Sequence, residues 1–257
     1  MNVKLALTAL FAVAVFSCKS EKKTEKNSNE SVVVAQKQPF FKISLAQWSL
    51  NEAIRNGEMN PLDFAEKAHE MGFEGIEYVS QLYTPMMETY DNDQVALDSI
   101  LPKLKAKSAE FEVQNVLIMV DGEGNLAAES ESERDQAVED HKKWVDAAKY
   151  LDCHAIRVNL IGAADRDVWK TSAIDGLKKL AEYGASQDIE VTVENHGGYS
   201  SDAALLMEVI NAIDMDNCGT LPDFGNFCLE RENGEMWGAP CVKEYDKYKG
   251  IAELMPK

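Results

Sequence analysis

Short apolar runs and longer amphipathic segments alternate along the chain from residue 43 onward. The short runs are rich in β-branched residues, which predicts strands, and the longer segments repeat their apolar positions at about 3.6 residues, which predicts helices. The predicted strands begin at Ile43, Gly75, Val113, Ala155, Glu190 and Gly219. The predicted helices span residues 60–73, 91–111, 129–152, 166–187, 200–213 and 246–255. Strands that alternate with helices in this way predict parallel βαβ units and an α/β fold.

Capping and breaking residues mark several of these helices. Asn60 suits the N-cap of the first helix, and Pro61 suits its first helical position. Ser200 or Ser201 is expected to cap the fifth helix. Pro102 lies inside the second helix and is expected to kink or divide it.

The strands follow one another about every 35 residues, a spacing that fits two architectures, an open doubly wound sheet and a (β/α)₈ TIM barrel. A dinucleotide-binding fold places a Gly-x-Gly-x-x-Gly loop after its first strand. No such loop follows the strand that begins at Ile43, which favours the barrel. Eight βα units of this length need about 280 residues, whereas the chain ends at Lys257. We therefore expect about six of the eight units here, in a C-terminally truncated barrel.

The N-terminal segment differs from the rest of the chain. Residues 1–17 have a basic start and a short apolar run, the layout of an export signal. The segment VFSC that ends at Cys18 resembles the lipobox of bacterial lipoproteins, which implies lipidation of Cys18. The alternative is a plain secretory signal with a chance cysteine. Residues 18–39 are polar and aperiodic, which predicts a flexible tether, and the folded domain is expected at 40–257. These features predict an exported protein, lipid-anchored to a bacterial membrane and facing the periplasm or the cell surface.

The net charge of −18 restricts the partners of the chain. A field of that sign repels nucleic acid and anionic lipid heads but admits neutral small molecules and divalent cations. We therefore expect no nucleic-acid partner and membrane contact only through the lipid.

The domain contains four cysteines after the predicted lipidation site. An exported domain can oxidise its cysteines, and Cys228 and Cys241 flank one loop, which makes them the best candidates for a disulfide. The preferred interpretation is that all four are buried free thiols. The other two are Cys153 and Cys218.

Polar side chains close two neighbouring strands of the predicted barrel. Working groups of parallel barrels stand at the carboxyl ends of strands, and Glu194 and Asp223 close consecutive strands. Two carboxylates that converge in a mouth of low dielectric repel each other, and a hard divalent cation relieves that repulsion. The alternative for each is a carboxylate that caps the next helix or pairs with a lysine. His196, just beyond Glu194, is the one histidine at the expected end of a strand.

Three motifs resemble one known family. They are VENHGG at residues 193–198, LPDFGN at 221–226 and GFEGIEY at 72–78. Together they resemble the sugar phosphate isomerase/epimerase superfamily, the xylose isomerase-like TIM barrels. The resemblance implies one divalent metal ion, usually Mn²⁺ or Mg²⁺, held by a Glu on strand five and an Asp on strand six.

Residue by residue, the resemblance assigns Glu194 and Asp223 as metal ligands and His196 as a substrate contact. Two further ligands would lie beyond Lys257. Asn226 stands where many members have a histidine and is assigned to substrate binding. The same resemblance implies that Glu77, Arg157 and Trp48 orient and wall a sugar, although Arg157 and Trp48 are equally compatible with barrel packing.

The implied function is that of an exported, metal-dependent sugar isomerase or epimerase. Proton transfer would run through a metal-stabilised enediolate of a free or oxidised sugar, with Glu194 as one proton carrier. A dehydratase or lyase on the same site is one alternative, and a non-catalytic, lipid-anchored carbohydrate-binding protein is another. The superfamily also includes apurinic-site endonucleases, which the acidic charge and the export signal disfavour.

Overall fold

The structure, a computed structural model, describes residues 41–257. The predicted signal peptide, the lipidation site Cys18 and the tether therefore lie outside the described residues. Among residues 41–257, no helix combines the length and apolar character that crossing a bilayer requires.

Six parallel strands form one sheet in which every strand pairs with its neighbours in the sequence, so the spatial order is the chain order. The strands are β1 (Ser44–Ala46), β2 (Gly75–Val79), β3 (Gln114–Met119), β4 (Ala155–Asn159), β5 (Glu190–Glu194) and β6 (Cys218–Leu221). The register pairs Asn159 with Glu194 and Glu194 with Leu221. The carboxyl ends of β4, β5 and β6 therefore meet at one edge of the sheet.

Helices follow the strands. They are α1 (Asn51–Arg55), α2 (Phe64–Glu70), α3 (Thr84–Met87), α4 (Asp93–Glu110), α5 (Glu131–Tyr150), α6 (Arg166–Gln187), α7 (Ala203–Ile213) and α8 (Lys247–Leu254). Six of them match the helices that the apolar periodicity predicts, whereas the short helices α1 and α3 were not predicted. Pro102 does not divide α4, because the helix runs unbroken from Asp93 to Glu110. Ile100, Leu101 and Leu104 are buried around this proline, and their packing offsets its helix-breaking effect.

Alternate strand residues pack on the two faces of the sheet. Ile118 belongs to the large apolar core that the strands share with the helices. Leu117 and Met119, its neighbours in β3, belong to a smaller cluster that contains Val79, Leu82 and Ala155. Apolar side chains therefore cover both faces, as expected for a parallel sheet of a barrel.

The predicted capping residues have two different outcomes. Asn60 accepts a hydrogen bond from the backbone N–H of Leu62, which confirms it as a cap. The cap of α7 is Asp202, which accepts from the N–H of Leu205, so the prediction of Ser200 or Ser201 is wrong. Both serine hydroxyls instead accept hydrogen bonds within the loop after β5, as described below.

A two-stranded hairpin occupies the region beyond the last parallel strand, where the sequence predicts only a loop. The antiparallel strands are β7 (Cys228–Arg231) and β8 (Cys241–Glu244). Their pairing brings the Cα atoms of Cys228 and Cys241 to 5.8 Å, and the two residues form a disulfide. The interpretation of these two cysteines as free thiols is therefore wrong, whereas Cys153 and Cys218 are buried and free as predicted.

Candidate active site

One cavity at the carboxyl ends of the strands brings together six of the seven predicted metal or substrate residues. It has a volume of about 500 Å³. Its walls include Trp48, Arg157, Glu194, His196, Asp223 and Asn226. These residues come from β4, from the last position of β5 and from the segments that follow β1, β5 and β6, which is the usual origin of site residues in such a fold.

Glu77 is the seventh predicted residue, and it does not line this cavity. It lies in the middle of β2, which continues for two more residues to Val79. Its carboxylate accepts a hydrogen bond from the hydroxyl of Ser44 on the neighbouring strand β1. Its role in substrate binding stays a prediction.

Glu194 lies at the centre of the polar contacts. Oε2 is 2.9 Å from Nε of Arg157, and Oε1 accepts a hydrogen bond of 3.3 Å from Nδ2 of Asn226. Nε2 of His196 is 3.9 Å from Oε1. Burial raises the pKa of Glu194 to about 7, and the opposing effect of the Arg157 guanidinium does not cancel it. Asp223 adds to the increase through like charge.

Arg157 links two carboxylates at the base of the cavity. Its Nη1 donates to Oδ1 of Asp121 at 2.9 Å, and the same oxygen accepts from Nδ2 of Asn159 at 2.6 Å. Nε of Arg157 is buried and directs no hydrogen bond at a partner within residues 41–257. The contact of Arg157 with Glu194 is therefore an ion pair rather than a directed hydrogen bond, and Arg157 is a charged component of the site rather than only a packing residue.

The Asp223 carboxylate is held by its own loop. Oδ1 accepts hydrogen bonds from the backbone N–H groups of Gly225 and Asn226, at 2.5 and 2.9 Å. The loop is fixed in turn by Asn195, which is fully buried. Nδ2 of Asn195 donates to the carbonyl oxygens of Asp223 and Asn226, both at 2.9 Å, and its Oδ1 accepts from the N–H of Asp223 at 2.7 Å.

Two serines shape the loop that carries His196. The hydroxyl of Ser200 accepts from the N–H of His196 at 3.0 Å, and that of Ser201 accepts from the N–H of Gly197 at 2.8 Å. Ser201 also donates to the carbonyl oxygen of Asn226 at 2.6 Å. Ser201 thus connects the loop after β5 to the loop after β6, while Ser200 bonds within the loop after β5 and also donates to the carbonyl oxygen of Gly197 at 2.9 Å. These bonds explain why neither serine caps α7.

The imidazole of His196 is partly buried between polar and aromatic neighbours. Its ring lies 4.5 Å from that of Trp237, at an interplanar angle of 51°. Burial lowers the pKa of His196, as does the positive charge of Arg157, so the ring is neutral at pH 7. Nδ1 is buried and has no hydrogen-bond partner in the described part of the chain.

Part of a metal site is present in this arrangement. Glu194 and Asp223 supply two hard oxygen donors from adjacent strand ends, which suits a divalent cation such as Mn²⁺ or Mg²⁺. The buried Nδ1 of His196 without a partner adds a further unsatisfied polar atom beside them. No group of three or more His, Cys, Asp or Glu side chains within residues 41–257 is arranged to hold a metal ion. The described residues therefore fit a metal as two of its ligands.

Three residues around the cavities had no role in the sequence analysis. Asn195 organises the Asp223 loop, Gln81 lines the cavity, and Trp237 contacts His196. The position of Asn195 directly after the strand-end Glu194 was a usable signal. Trp237 lies on the hairpin, and nothing in the local sequence pattern indicates its contact.

The chain belongs to the family of xylose isomerase-like TIM barrels, because the model of that family matches residues 65–252. This match confirms the predicted family and fold class. A comparison with curated proteins finds no match.

Solved structures of several enzymes are similar in fold. A D-psicose 3-epimerase solved in the presence of D-fructose is 15% identical, with a TM-score of 0.56 over 72% of this chain and 64% of its own. A probable 3-DHS dehydratase of petrobactin synthesis from Bacillus anthracis is 20% identical, with a TM-score of 0.55 over 84% of this chain and 70% of its own. The IOLI protein, solved with a binding zinc atom, is 12% identical, with a TM-score of 0.52 over 70% of this chain and 62% of its own.

At 12–20% sequence identity, these structural similarities establish the fold. The chain spans just under two thirds of the length of the D-psicose 3-epimerase, so the activity of the whole protein is a matter for proposal.

Proposed function

We propose that the protein is a metal-dependent sugar isomerase or epimerase that moves a proton on a free or oxidised sugar. The observation that carries this proposal is the cavity in which Glu194, a buried carboxylate, meets Asp223, His196 and Asn226. A carboxylate held in such a cavity can both accept and return a proton of a bound substrate. The fold similarity to a protein described as a D-psicose 3-epimerase supports the same reaction class.

In the proposed reaction, Glu194 removes a proton from a carbon next to the carbonyl of the sugar. The electron pair of the broken C–H bond moves towards the carbonyl oxygen and gives an enediolate. Return of the proton to the neighbouring carbon isomerises the sugar when the hydroxyl proton also shifts to the former carbonyl oxygen, and it needs a single carrier for the carbon-bound proton. Inversion at the original carbon needs a second carrier on the opposite face. Asn226 and Arg157 hold the Glu194 carboxylate by contacts with both of its oxygens, which fixes the position of the proton carrier.

The residues that would hold the metal ion are Glu194 and Asp223. A bound divalent cation supplies electrostatic stabilisation of negative charge that develops on the oxygens of the substrate. Mn²⁺ and Mg²⁺ are the proposed ions because both donors are carboxylate oxygens. The zinc atom reported for the IOLI protein supports a divalent ion in this fold.

Two alternatives use the same cavity. Loss of a hydroxyl group after proton removal would make the protein a dehydratase or lyase, and the fold similarity to the B. anthracis protein favours that as the second candidate. A carbohydrate-binding protein without catalysis is the third. The N-terminal pattern supports our further proposal that the protein is exported and lipid-anchored through Cys18.

Metal binding and turnover test the proposal on the full chain. We expect Mn²⁺ to raise the melting temperature of the wild type, by about 2–4 °C for each kcal/mol of binding free energy. Glu194→Gln should lose this shift and lower the turnover of D-fructose or related ketoses by about 100-fold or more.

Glu190→Gln is the matched control, because Glu190 lies at the opposite, exposed end of the same strand. It should keep both the metal response and the turnover. A wild type that does not respond to Mn²⁺, or a Glu194→Gln variant that responds fully, would contradict the proposal. Sugar binding that persists after chelation, without turnover, would support the carbohydrate-binding protein instead.

A further inference from the structure

A second cavity adjoins the one that holds Glu194. Its volume is about 690 Å³. Four side chains line both cavities, namely Trp48, Gln81, Asp121 and His196. Ligand cavities of ~300–1,000 Å³ bury drug-sized molecules, so the first cavity alone suffices for a monosaccharide. The two together provide space for a larger ligand than the proposed reaction needs.

Two half-exposed tryptophans form walls of the second cavity. Trp48 and Trp237 are 43% and 41% exposed, and both line this space. The guanidinium carbon of Arg55 lies 4.7 Å from the centre of the Trp48 ring, which holds that ring in place. Tryptophan offers a broad apolar face with a polar edge, and such a surface suits the C–H face of a sugar ring.

Several contacts hold Trp237 at this position. Gly197 has φ +96°, and a Cβ atom there would lie 3.1 Å from Cη2 of Trp237, so the tryptophan packs directly against the glycine backbone. Arg231 donates from Nε to the carbonyl oxygen of Met236 at 3.2 Å and from Nη1 to that of Ala239 at 2.8 Å. The loop that carries Trp237 is closed by the disulfide of the hairpin. This tryptophan is therefore part of a built wall.

Unsatisfied buried polar atoms also point to a ligand. Oδ1 of Asn159 and Nδ1 of His196 are buried and have no hydrogen-bond partner within residues 41–257, and both residues line the second cavity. Buried polar groups are nearly always paired, so these two atoms indicate missing partners. A sugar hydroxyl can donate to one such atom and accept from another.

The charges around the second cavity favour a neutral ligand. Its described lining contains no lysine and no arginine, which argues against a phosphorylated sugar. Its two carboxylates are already compensated, since Asp121 pairs with Arg157 at 2.9 Å and Glu123 pairs with Lys143 at 2.8 Å. An uncharged, hydroxyl-rich ligand fits these constraints.

We propose that the second cavity is a subsite for a second, uncharged sugar unit, and that the substrate is a disaccharide or other glycoside whose reacting unit occupies the Glu194 cavity. The proposal rests on the proposed function for the identity of the reacting unit. Trp48 and Trp237 stack on the second sugar, and Asn159 and His196 bind its hydroxyls.

Binding of matched sugars tests this subsite. Calorimetric titrations of the full chain with Mn²⁺ would compare D-fructose with three disaccharides of glucose and fructose: turanose, maltulose and isomaltulose. We expect at least one disaccharide to bind about tenfold more tightly than D-fructose. Trp237→Ala should weaken that disaccharide about three- to tenfold, with less than a twofold change for D-fructose. Trp237→Phe should recover part of the loss, which separates stacking from a folding defect.

Val242→Ala is the control on the same hairpin, because Val242 is exposed and lines neither cavity. It should bind all four sugars as the wild type does. Equal affinities for D-fructose and every disaccharide, no binding of any disaccharide, or binding that is unchanged by Trp237→Ala would each overturn the subsite.

The Mn²⁺ response and the turnover of the Glu194→Gln variant are measured separately from the binding of disaccharides. If they behave as expected while the subsite fails, the proposed function survives alone. If the subsite binds disaccharides and no ketose is turned over, the subsite stands and the proposed reaction falls.

Discussion

At the scale of single residues, Glu194 shows how burial and charge compete. A guanidinium at 2.9 Å favours the ionised carboxylate, yet the pKa is raised to about 7 because the group has lost most of its hydration. The carboxylate is only 7% exposed, and Asp223 adds like charge. In the metal-free protein, this competition leaves a buried carboxylate with a pKa near neutrality.

The raised pKa predicts how stability depends on pH. Between the ordinary value of 4.5 and about 7, the native protein keeps a proton on Glu194 that the unfolded chain has lost. The free energy of unfolding should therefore fall as pH rises through this window, by about 3 kcal/mol in the metal-free protein. The Glu194→Gln variant lacks this group and should match the wild type near pH 4.5 but exceed it in stability at pH 8.

Urea unfolding at several pH values, with a chelator present, measures this difference. The lowered pKa of His196 produces the opposite trend, because stability then rises as pH increases towards its ordinary value of 6.5. That contribution is common to both proteins, so the difference between them isolates Glu194. A constant difference from pH 4.5 to pH 8 would contradict the raised pKa.

Site residues at the ends of strands could be predicted from the sequence, whereas residues that act through long-range contacts could not. Glu194 and Asp223 could be predicted to lie together because consecutive parallel strands end at the same edge. Glu77 lies inside β2, two residues before its end, and its role in substrate binding stays a prediction. The hydrogen bonds of Asn195 reach residues 28 and 31 positions away, and no local pattern encodes such a contact.

At the scale of elements, Asn195 connects the loops that follow β5 and β6. Its side chain satisfies both the N–H and the carbonyl oxygen of Asp223. The position of one proposed metal ligand thus depends on the residue next to the other. A neutral amide thus fixes the distance between the two loops that carry these carboxylates.

Removal of this amide should affect both stability and metal binding. Asn195→Ala removes a fully buried amide and leaves the partly buried N–H and carbonyl of Asp223 without these partners, which should lower the free energy of unfolding by about 2–4 kcal/mol. The Mn²⁺-induced increase in melting temperature should shrink as well, because Asp223 is no longer held.

Asn217→Ala provides the matched control for Asn195→Ala. Asn217 donates two hydrogen bonds to the carbonyls of Ala181 and Ile189, and it directly precedes β6, at the other end of that strand from Asp223. Its loss should destabilise the protein but leave the Mn²⁺ response intact. An Asn195→Ala variant with the full Mn²⁺ response would show that the clamp does not position the ligand.

The β7–β8 hairpin, like the short helices α1 and α3, was not predicted from the sequence pattern. Buried parallel strands such as β3 carry a continuous apolar run, VLIM at residues 116–119, whereas β7 and β8 are four residues each and half of their residues are charged. The alternation of apolar and polar residues along each segment does not indicate that the two strands pair or that their cysteines form a disulfide. Because Trp237 lies on this hairpin, the sequence pattern did not indicate the proposed second subsite either.

At the scale of the whole molecule, strand order decides between the two architectures that the strand spacing leaves open. A doubly wound sheet reverses its strand order at a switch point, while the six strands here follow the chain order without reversal. Periodicity predicted the units, and only the family resemblance and the observed order identify the barrel.

The net charge of the whole chain predicts that the barrel does not bind nucleic acid. A net charge of −18 opposes the condensed negative charge of DNA. Non-specific DNA binding is strongest at low salt, so a mobility-shift assay at about 50 mM salt, with a duplex that contains an abasic site, gives binding its best opportunity. We expect no complex at protein concentrations up to about 100 µM, the weak end of ordinary non-specific affinity. A salt-sensitive complex under these conditions would mean that the described surface carries a basic patch despite the net charge, and the exclusion of a nucleic-acid function would then be wrong.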